Sequence, residues 1–276
     1  MSDAPESVLV LGATGTHGGA VARGLLAAGY QVRALVRDSS SSRAQALAAA
    51  GATLVTGDLL DVASLTPAFT EVDAVYAVTT PFENGTAGEE RQGEAIIAAA
   101  ETAGLGWLAL ASVASADKVS SVPHFASKWH IEQRLAAGSV PWTVIAPGYF
   151  YENVLGSMPA INGGLLPIAI PPDKPLAQVA LANLGQLVAT VLAQRGEHLG
   201  ARVEVAGDDP TPLQMAAAFG AQYEQVPFAA VTNPDIRAMY EFLSKRGYSV
   251  DPRSLRARYP EVGWISYTEW ASALPR

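Results

Sequence analysis

From Ser7 to Ala146 short apolar runs alternate with alanine-rich stretches, a pattern that predicts repeated β-α-β units and a parallel sheet. Strands are expected at Val8–Leu11, Gln31–Val36, Thr53–Thr56, Ala74–Val78, Trp107–Ala111 and Trp142–Ala146. Helices are expected between them, at Gly18–Ala28, Ser42–Ala50, Val62–Phe69, Glu89–Ala103 and Ser127–Ala137. The strands are continuous in Val, Leu and Ala, as strands covered on both faces are, and that content carries no functional message. Right-handed crossovers put the carboxyl ends of all the strands on one edge, where open sheets bind ligands near the point at which strand order reverses. The strand ends are therefore where candidate chemistry is to be sought.

After Pro147 the pattern changes. Gly and Pro punctuate Met158 to Pro175, which reads as a long surface connection or lid. Regular structure resumes with a helix capped by Asn183 and running to about Gln194, a strand at Arg202–Val205, and a helix entered through Thr211 and Pro212. The aromatic remainder, with Tyr240, Phe242, Tyr248, Trp264, Tyr267 and Trp270, reads as a small mixed lobe. The expected class is α/β: a doubly wound parallel sheet over residues 1–150, then a smaller α+β lobe over 151–276, part of which can return to the first domain.

Composition narrows the function classes. Apolar residues make up 49% and charged residues 16% of the 276 positions, enough to bury a substantial core and inconsistent with disorder. The net charge of -8 repels polyanions, so no direct nucleic-acid partner is expected. Met1 to Ser7 lack the basic start and apolar run of a signal peptide, and no apolar segment reaches bilayer length. A cytoplasmic protein without membrane partners is the expectation. There is no cysteine, and His17, His124, His130 and His198 show no metal-ligand spacing, so no metal site is expected.

The most specific motif is Gly12-Ala13-Thr14-Gly15-Thr16-His17-Gly18, set between the first strand and an alanine-rich helix. Its logic is steric: Gly12 permits a tight turn, Gly15 lets backbone N–H groups approach a pyrophosphate, and Gly18 lets the helix lie against the sheet. The phosphate then meets the positive end of the helix. This is the fingerprint of a Rossmann-type domain. At the end of the second strand a carboxylate would select NAD and a cation would accommodate a 2′-phosphate. Arg37 stands there, and its fixed charge and forked donors favour NADP(H), with a simple surface pair to Asp38 as the alternative. Asp58 and Leu59 after the third strand could flank an adenine, and Thr79, Thr80 and Pro81 after the fourth lie beside the path towards a nicotinamide. An ordinary polar turn is the competing reading of both.

With those residues in view, the chain resembles the NmrA-like branch of the short-chain dehydrogenases/reductases over nearly its whole length. The resemblance is carried by Gly12 to Gly19, Val36-Arg37-Asp38, Gly57-Asp58, Val78-Thr79-Thr80, His124 to Lys128, and Pro147 to Asn153. It implies NADP(H) binding, with some members reducing quinones or related carbonyl-type acceptors and others sensing NADPH. Carried over by position, Gly12 to His17 would hold the pyrophosphate, Arg37 the 2′-phosphate, and Asp58 and Leu59 the adenine. Thr79 to Pro81 would line the middle of the site and Lys128 would contact the nicotinamide ribose. Tyr149, Phe150 and Asn153 would close over the nicotinamide, and Arg91 stands where relatives can carry a lysine near the cofactor.

The expected chemistry departs from the superfamily's pattern. Its usual Tyr-x-x-x-Lys lowers a phenol's pKa so that it can protonate a carbonyl. Here His124 occupies the tyrosine position ahead of Lys128, and Ser112 lies where the superfamily's serine would be. Residues four apart share a helical face, so His124 and Lys128 can both point at the nicotinamide end; a solvated helix-entry histidine is the plainer alternative. Two functions follow: an oxidoreductase passing hydride from NADPH to a quinone-like small molecule, or a sensor without turnover that acts on a regulatory protein partner. The apolar wall of Trp129, Tyr149, Phe150 and Tyr151 favours the first and the missing tyrosine the second. Sugar-nucleotide chemistry, which relies on that tyrosine, ranks last, and a homodimer stays open.

Overall fold

The computed structural model describes residues 4–275. The apolar runs form β1 (Ser7–Val10), β2 (Gln31–Val36), β3 (Thr53–Thr56), β4 (Ala74–Ala77), β5 (Leu108–Ala111) and β6 (Trp142–Pro147). Between them lie α1 (Thr16–Ala27), α2 (Ser42–Ala49), α3 (Val62–Thr70), α4 (Gly85–Ala103) and α5 (Pro123–Ala136). The chain then makes β7 (Tyr149–Phe150), α6 (Met158–Asn162), β8 (Leu165–Ile168), β9 (Gln178–Val179), α7 (Leu181–Ala193), α8 (Arg195–His198) and β10 (Ala201–Val205). It continues through α9 (Pro212–Ala218), β11 (Gln222–Gln225), α10 (Pro234–Lys245), α11 (Pro252–Arg258) and α12 (Tyr267–Ser272).

Seven parallel strands form one sheet in the order β10-β6-β5-β4-β1-β2-β3. The chain winds outward from β1 in one direction and from β4 in the other, so strand order reverses between them and a ligand crevice opens at their carboxyl ends. Alternate residues of each strand feed two cores. Val8, Val10, Ala34 and Tyr76 join α1 and α7 on one face, and Leu9, Leu11, Leu35, Val75 and Leu110 join α3, α4 and α5 on the other. Each such side chain is fully or almost fully buried, worth roughly 1.5–3 kcal/mol for a Val or Leu.

The segment after β6 returns to this sheet. Arg202–Val205, expected as a strand, lies in β10 and pairs with β6. Helix α7 packs on α1 with backbones in contact: a Cβ at Gly24 would lie 2.6 Å from the Gly185 carbonyl carbon, and one at Gly185 would lie 2.7 Å from the Ala20 oxygen. A third core, rich in aromatic residues, joins Phe125 to Tyr151, Phe242, Tyr267 and Trp270. Thr211 and Pro212 open α9 through a capping box, as their sequence suggests.

Three local expectations are corrected. Met158–Pro175 is not a surface lid: it forms α6 and β8, and Ile161, Leu166, Ile168 and Ile170 are buried in the aromatic core. The apolar residues between the Gly and Pro positions decide the outcome. Asn183 does not cap α7 but lies inside it, accepting from Ile265 N–H at 3.1 Å. The helix starts at Leu181, whose N–H donates to both oxygens of Glu152 at 3.1 Å. Finally, α4 and α5 begin earlier than their periodicity suggests, and Pro123 takes the first position of α5, where its fixed φ and missing donor cost nothing. His124 is thereby inside the helix. No helix among the described residues is long and apolar enough to cross a membrane, and no group of His, Asp and Glu among them could hold a metal ion.

Candidate functional site

The glycine turn at the end of β1 is built for close approach. Leu11 N–H donates to the Tyr76 carbonyl at 2.9 Å, after which Gly12 adopts a φ of 66° and its carbonyl accepts from Gly15 N–H at 2.9 Å. That φ disfavours any side chain. A Cβ at Gly18 would come within 2.7 Å of the Gly12 carbonyl carbon and closer still to its oxygen, so α1 seats on the turn only because residue 18 has no side chain. Gly15 caps α1 with backbone alone, and the first turn carries no acid. Unused N–H groups and the positive helix end are thus left for an anion. Ala13 is buried, Thr14 half-buried, and Gly15 and Thr16 exposed.

His17 faces inward from this turn. Its Nε2 shares a hydrogen bond with Tyr76 Oη at 2.8 Å, and its ring meets Phe150 edge-on with centroids 5.4 Å apart. Burial, and then the charge of Lys128, push its pKa down to about 3, so the imidazole is neutral at physiological pH. Lys128 is thus close enough for its charge to be felt at His17.

Two strand ends lie on the β2–β3 side. Arg37 makes a forked pair with Glu83, Nη1 to Oε2 at 3.0 Å and Nη2 to Oε1 at 3.2 Å. Asp38, the acid offered by the sequence, instead accepts from Ser40. Arg37 and Glu83 are 70% and 50% exposed, so the pair is worth at most about 1 kcal/mol and is easily exchanged for a stronger anion. Asp58 is exposed and accepts from Leu60 N–H at 2.9 Å, the arrangement of a polar turn, while Leu59 is half-buried against the α3 core.

The strand reversal holds a cluster that sequence reasoning only half found. Lys128 Nζ, on α5, donates to Glu89 Oε1 at 2.8 Å and reaches the Thr79 carbonyl and hydroxyl oxygens at 3.3 Å. Thr79 Oγ1 also donates to Glu89 Oε1 at 3.0 Å, and Ser127 Oγ donates to Glu89 Oε2 at 2.5 Å. Glu89 is completely buried, yet its carboxylate is met by three donors. A buried charge survives only with such partners. The signal for Glu89 was its register: Glu89, Gln92, Ile96 and Ala99 occupy one buried stripe of α4, and an acid in an apolar stripe asks for a cation. Thr80 N–H donates to Gln92 Oε1 at 3.0 Å and Pro81 is buried, which fixes the loop after β4. Arg91, on the solvent side of α4, is exposed.

The remaining predicted residues divide. His124 is not the solvated helix-entry residue of the plainer reading: it is 8% exposed, and its Nδ1 lies 2.6 Å from Asp235 Oδ1 on α10. Ser112 is buried and joins a network one helical turn beyond Lys128 on α5. Its hydroxyl donates to Glu132, which in turn accepts from Arg202 Nε at 2.8 Å. Burial raises the Glu132 pKa despite that guanidinium. Tyr149 and Phe150 lie near the turn and are half-buried, with Tyr149 Oη 3.1 Å from Tyr240 Oη and Phe150 against His17. Asn153 is exposed at the rim beside Tyr149. Tyr151 does not line the wall expected of it: it is fully buried in the aromatic core, edge-on to Tyr267 with centroids 5.1 Å apart, because the chain leaves β7 after Phe150 and turns into a 3-10 helix over Tyr151–Ser157.

A doubly wound sheet with a glycine turn, an uncapped helix end and a lysine at the strand reversal defines an α/β protein of the dinucleotide-binding kind. The chain belongs to the NmrA-like family, which matches residues 5–252. It is 31% identical over 237 residues to quinone oxidoreductase 2 of Escherichia coli (strain K12), spanning 84% of this chain and 80% of that protein. To the NAD(P)H azoreductase of Xenophilus azovorans it is 33% identical over 157 residues, 56% of this chain and 52% of that protein, so about half of the azoreductase is matched. Among solved structures, the NADPH-dependent quinone oxidoreductase of Escherichia coli complexed with NADPH has a TM-score of 0.80 to this chain at 27% identity, covering 96% of this chain and 98% of that chain.

Proposed function

We propose that the chain binds NADP(H) across the strand reversal and reduces a quinone or related carbonyl-type acceptor. The observation that carries this reading is the convergence of the glycine turn, the Thr79 loop and Lys128 on one crevice, with a free anion cradle at the turn and the Phe150 ring against its His17. The cradle fits a pyrophosphate, since the space a Cβ would need at Gly18 is already filled by the turn itself and the first N–H groups of α1 stay open. Both the quinone oxidoreductase and the azoreductase similar to this chain bear names of nicotinamide-dependent reduction or quinone reduction.

When bound, the cofactor supplies the hydride. In this reading Gly12 to His17 orient the pyrophosphate, Arg37 leaves Glu83 for the 2′-phosphate, and Asp58 and Leu59 flank the adenine. Thr79, Thr80 and Pro81 shape the middle of the crevice, with Arg91 at its margin. Lys128, aimed by Glu89, holds the nicotinamide ribose, while Tyr149, Phe150 and Asn153 close the acceptor end against water. Residues 1–150 form the cofactor part and 151–276 the acceptor part, apart from the return through α7 and β10. The reading places the protein in the cytoplasm, with a small flat molecule as partner and any homodimer formed outside the crevice.

The test is consumption of NADPH with a panel of quinones. Turnover supports an oxidoreductase; binding of NADPH with no acceptor reduced favours the sensor that acts without turnover. Lys128→Ala is expected to weaken NADPH binding and turnover together, each by about 10-fold or more, the effect of one charge-assisted hydrogen bond. Unchanged rates in that variant would refute the role given to Lys128.

A further inference from the structure

The oxidoreductase reading leaves open what protonates the acceptor, since the position of the usual tyrosine holds His124. We propose that Asp235 is the positioning residue of a His124–Asp235 dyad that replaces this tyrosine as the proton source. The inference rests on that reading and adds to it a residue from the far end of the chain.

Asp235 is brought to His124 by α10, capped at Asn233, whose Oδ1 accepts from Asp235 N–H at 2.9 Å. One oxygen of Asp235 receives two groups from the same histidine, Nδ1 at 2.6 Å and the backbone N–H at 3.3 Å. Two contacts from one residue fix both the ring's position and its rotation. The ring is braced further by Phe125, edge-on with centroids 4.8 Å apart. The pair is largely out of water, with side chains 10% and 20% exposed, where a charge-assisted hydrogen bond is stronger than at the surface.

This orientation commits the two ring nitrogens to different tasks. Nδ1 is taken by Asp235. Nε2 makes no hydrogen bond among the described residues, yet it is not one of their buried unpartnered atoms, so it opens onto accessible space. The mostly exposed ring of Phe82, in the loop after β4, lies 6.4 Å away on centroids. His124 stands one helical turn before Lys128 on α5, so both side chains address the loop that follows β4.

Other charged or titratable groups on the elements packed there are already engaged. Lys128 is paired with Glu89, Glu83 with Arg37, and the Tyr240 hydroxyl with that of Tyr149. Asp235 is the charged group in contact with the ring. In the step proposed, the imidazolium Nε2–H bond breaks and its proton forms an O–H bond on the acceptor, while the acceptor also gains the hydride. The quinone is thereby reduced to hydroquinone and NADPH oxidised to NADP+. The neutral histidine keeps its Nδ1 proton on Asp235 and regains the other from water.

The plain alternative is that Asp235 merely satisfies a free N–H at the start of α5. Asp235→Asn separates the two, because the amide oxygen can still accept from that N–H while the charge is gone. Two readouts decide. In the cofactor-free protein at alkaline pH, 15N spectra of the His124 ring are expected to show the Nδ1–H tautomer in the wild type and a shift towards Nε2–H in the variant. In turnover with a quinone, kcat of the variant is expected to fall about 10-fold or more at pH 8 and less at pH 6, with KM for NADPH within about twofold; Asp235→Glu should recover part of the loss. An unchanged tautomer, or a kcat profile of unchanged shape alongside a lower melting temperature, would overturn the dyad and leave Asp235 as a cap. No quinone turnover in the wild type overturns the oxidoreductase reading itself, and the dyad's role with it; wild-type turnover with an unmoved profile overturns the dyad alone.

Discussion

Glu89→Ala is expected to lower the melting temperature by about 10 °C. The carboxylate is wholly buried and accepts from Lys128 Nζ, Thr79 Oγ1 and Ser127 Oγ. Removing one partner of a buried ion pair leaves an uncompensated charge, a loss of roughly 3–5 kcal/mol, and each kcal/mol moves a chain of this size by about 2–4 °C. Glu89→Gln keeps an acceptor for only one of the two hydroxyls, which meet different oxygens, and loses the charge, but it still fills the space, so it should fall between wild type and alanine. Thermal unfolding followed by circular dichroism reads both. A shift of less than about 2 °C for the alanine variant would show that Lys128 finds water or another partner, and that the cluster does not hold the crevice together.

The second large effect is expected at Gly18. In Gly18→Ala the added methyl meets the Gly12 carbonyl group, with its carbon at 2.7 Å, so either the turn opens or α1 lifts from β1. Each displaced N–H donor to a charged phosphate is worth about 1.5–3 kcal/mol, and two of them correspond to a loss of about 100-fold or more in NADPH affinity. Gly196 is a fitting control: it has open space around it and no positive φ, so Gly196→Ala should bind as the wild type does. Wild-type affinity in Gly18→Ala would mean that the cofactor is not seated on this turn.

Much of the architecture could be read along the chain because parallel strands buried on both faces leave an unmistakable mark. The runs that became β1 to β6 are mostly apolar, least so in β2 and β3 towards the sheet's edge, and the turns between them carry the punctuation. The glycine turn was legible for a related reason: Gly12 and Gly18 answer steric demands that no other residue meets, so spacing alone carries the geometry. Helix starts were less legible. Gly85 and Gly88 hide the onset of α4 and Pro123 that of α5, although the face shared by His124 and Lys128 was legible from their spacing. Met158–Pro175 misled because glycine and proline report on the backbone, whereas Ile161, Leu166 and Ile168 settle where the segment goes.

Site residues that depend on long-range contact were the least visible. Arg37 was read from its place at a strand end, but its partner Glu83 arrives from a different loop. Asp235 meets His124 across 111 positions of sequence, and no local pattern marks it. Ser112 was likewise read from its place just past a strand, but its partner Glu132 comes from α5, twenty positions on. Position along a strand says which edge a residue reaches, and only the alternation of faces says what it touches.

Titration calorimetry of the purified protein with NADPH and with NADH, in wild type and in Arg37→Ala, tests the central claim most directly. The guanidinium is expected to favour the phosphorylated cofactor by about 10-fold or more, the effect of one or two charge-assisted hydrogen bonds, and the preference should vanish in the variant while NADH binding holds. Equal affinity for the two cofactors in the wild type, or no binding of either, would contradict it.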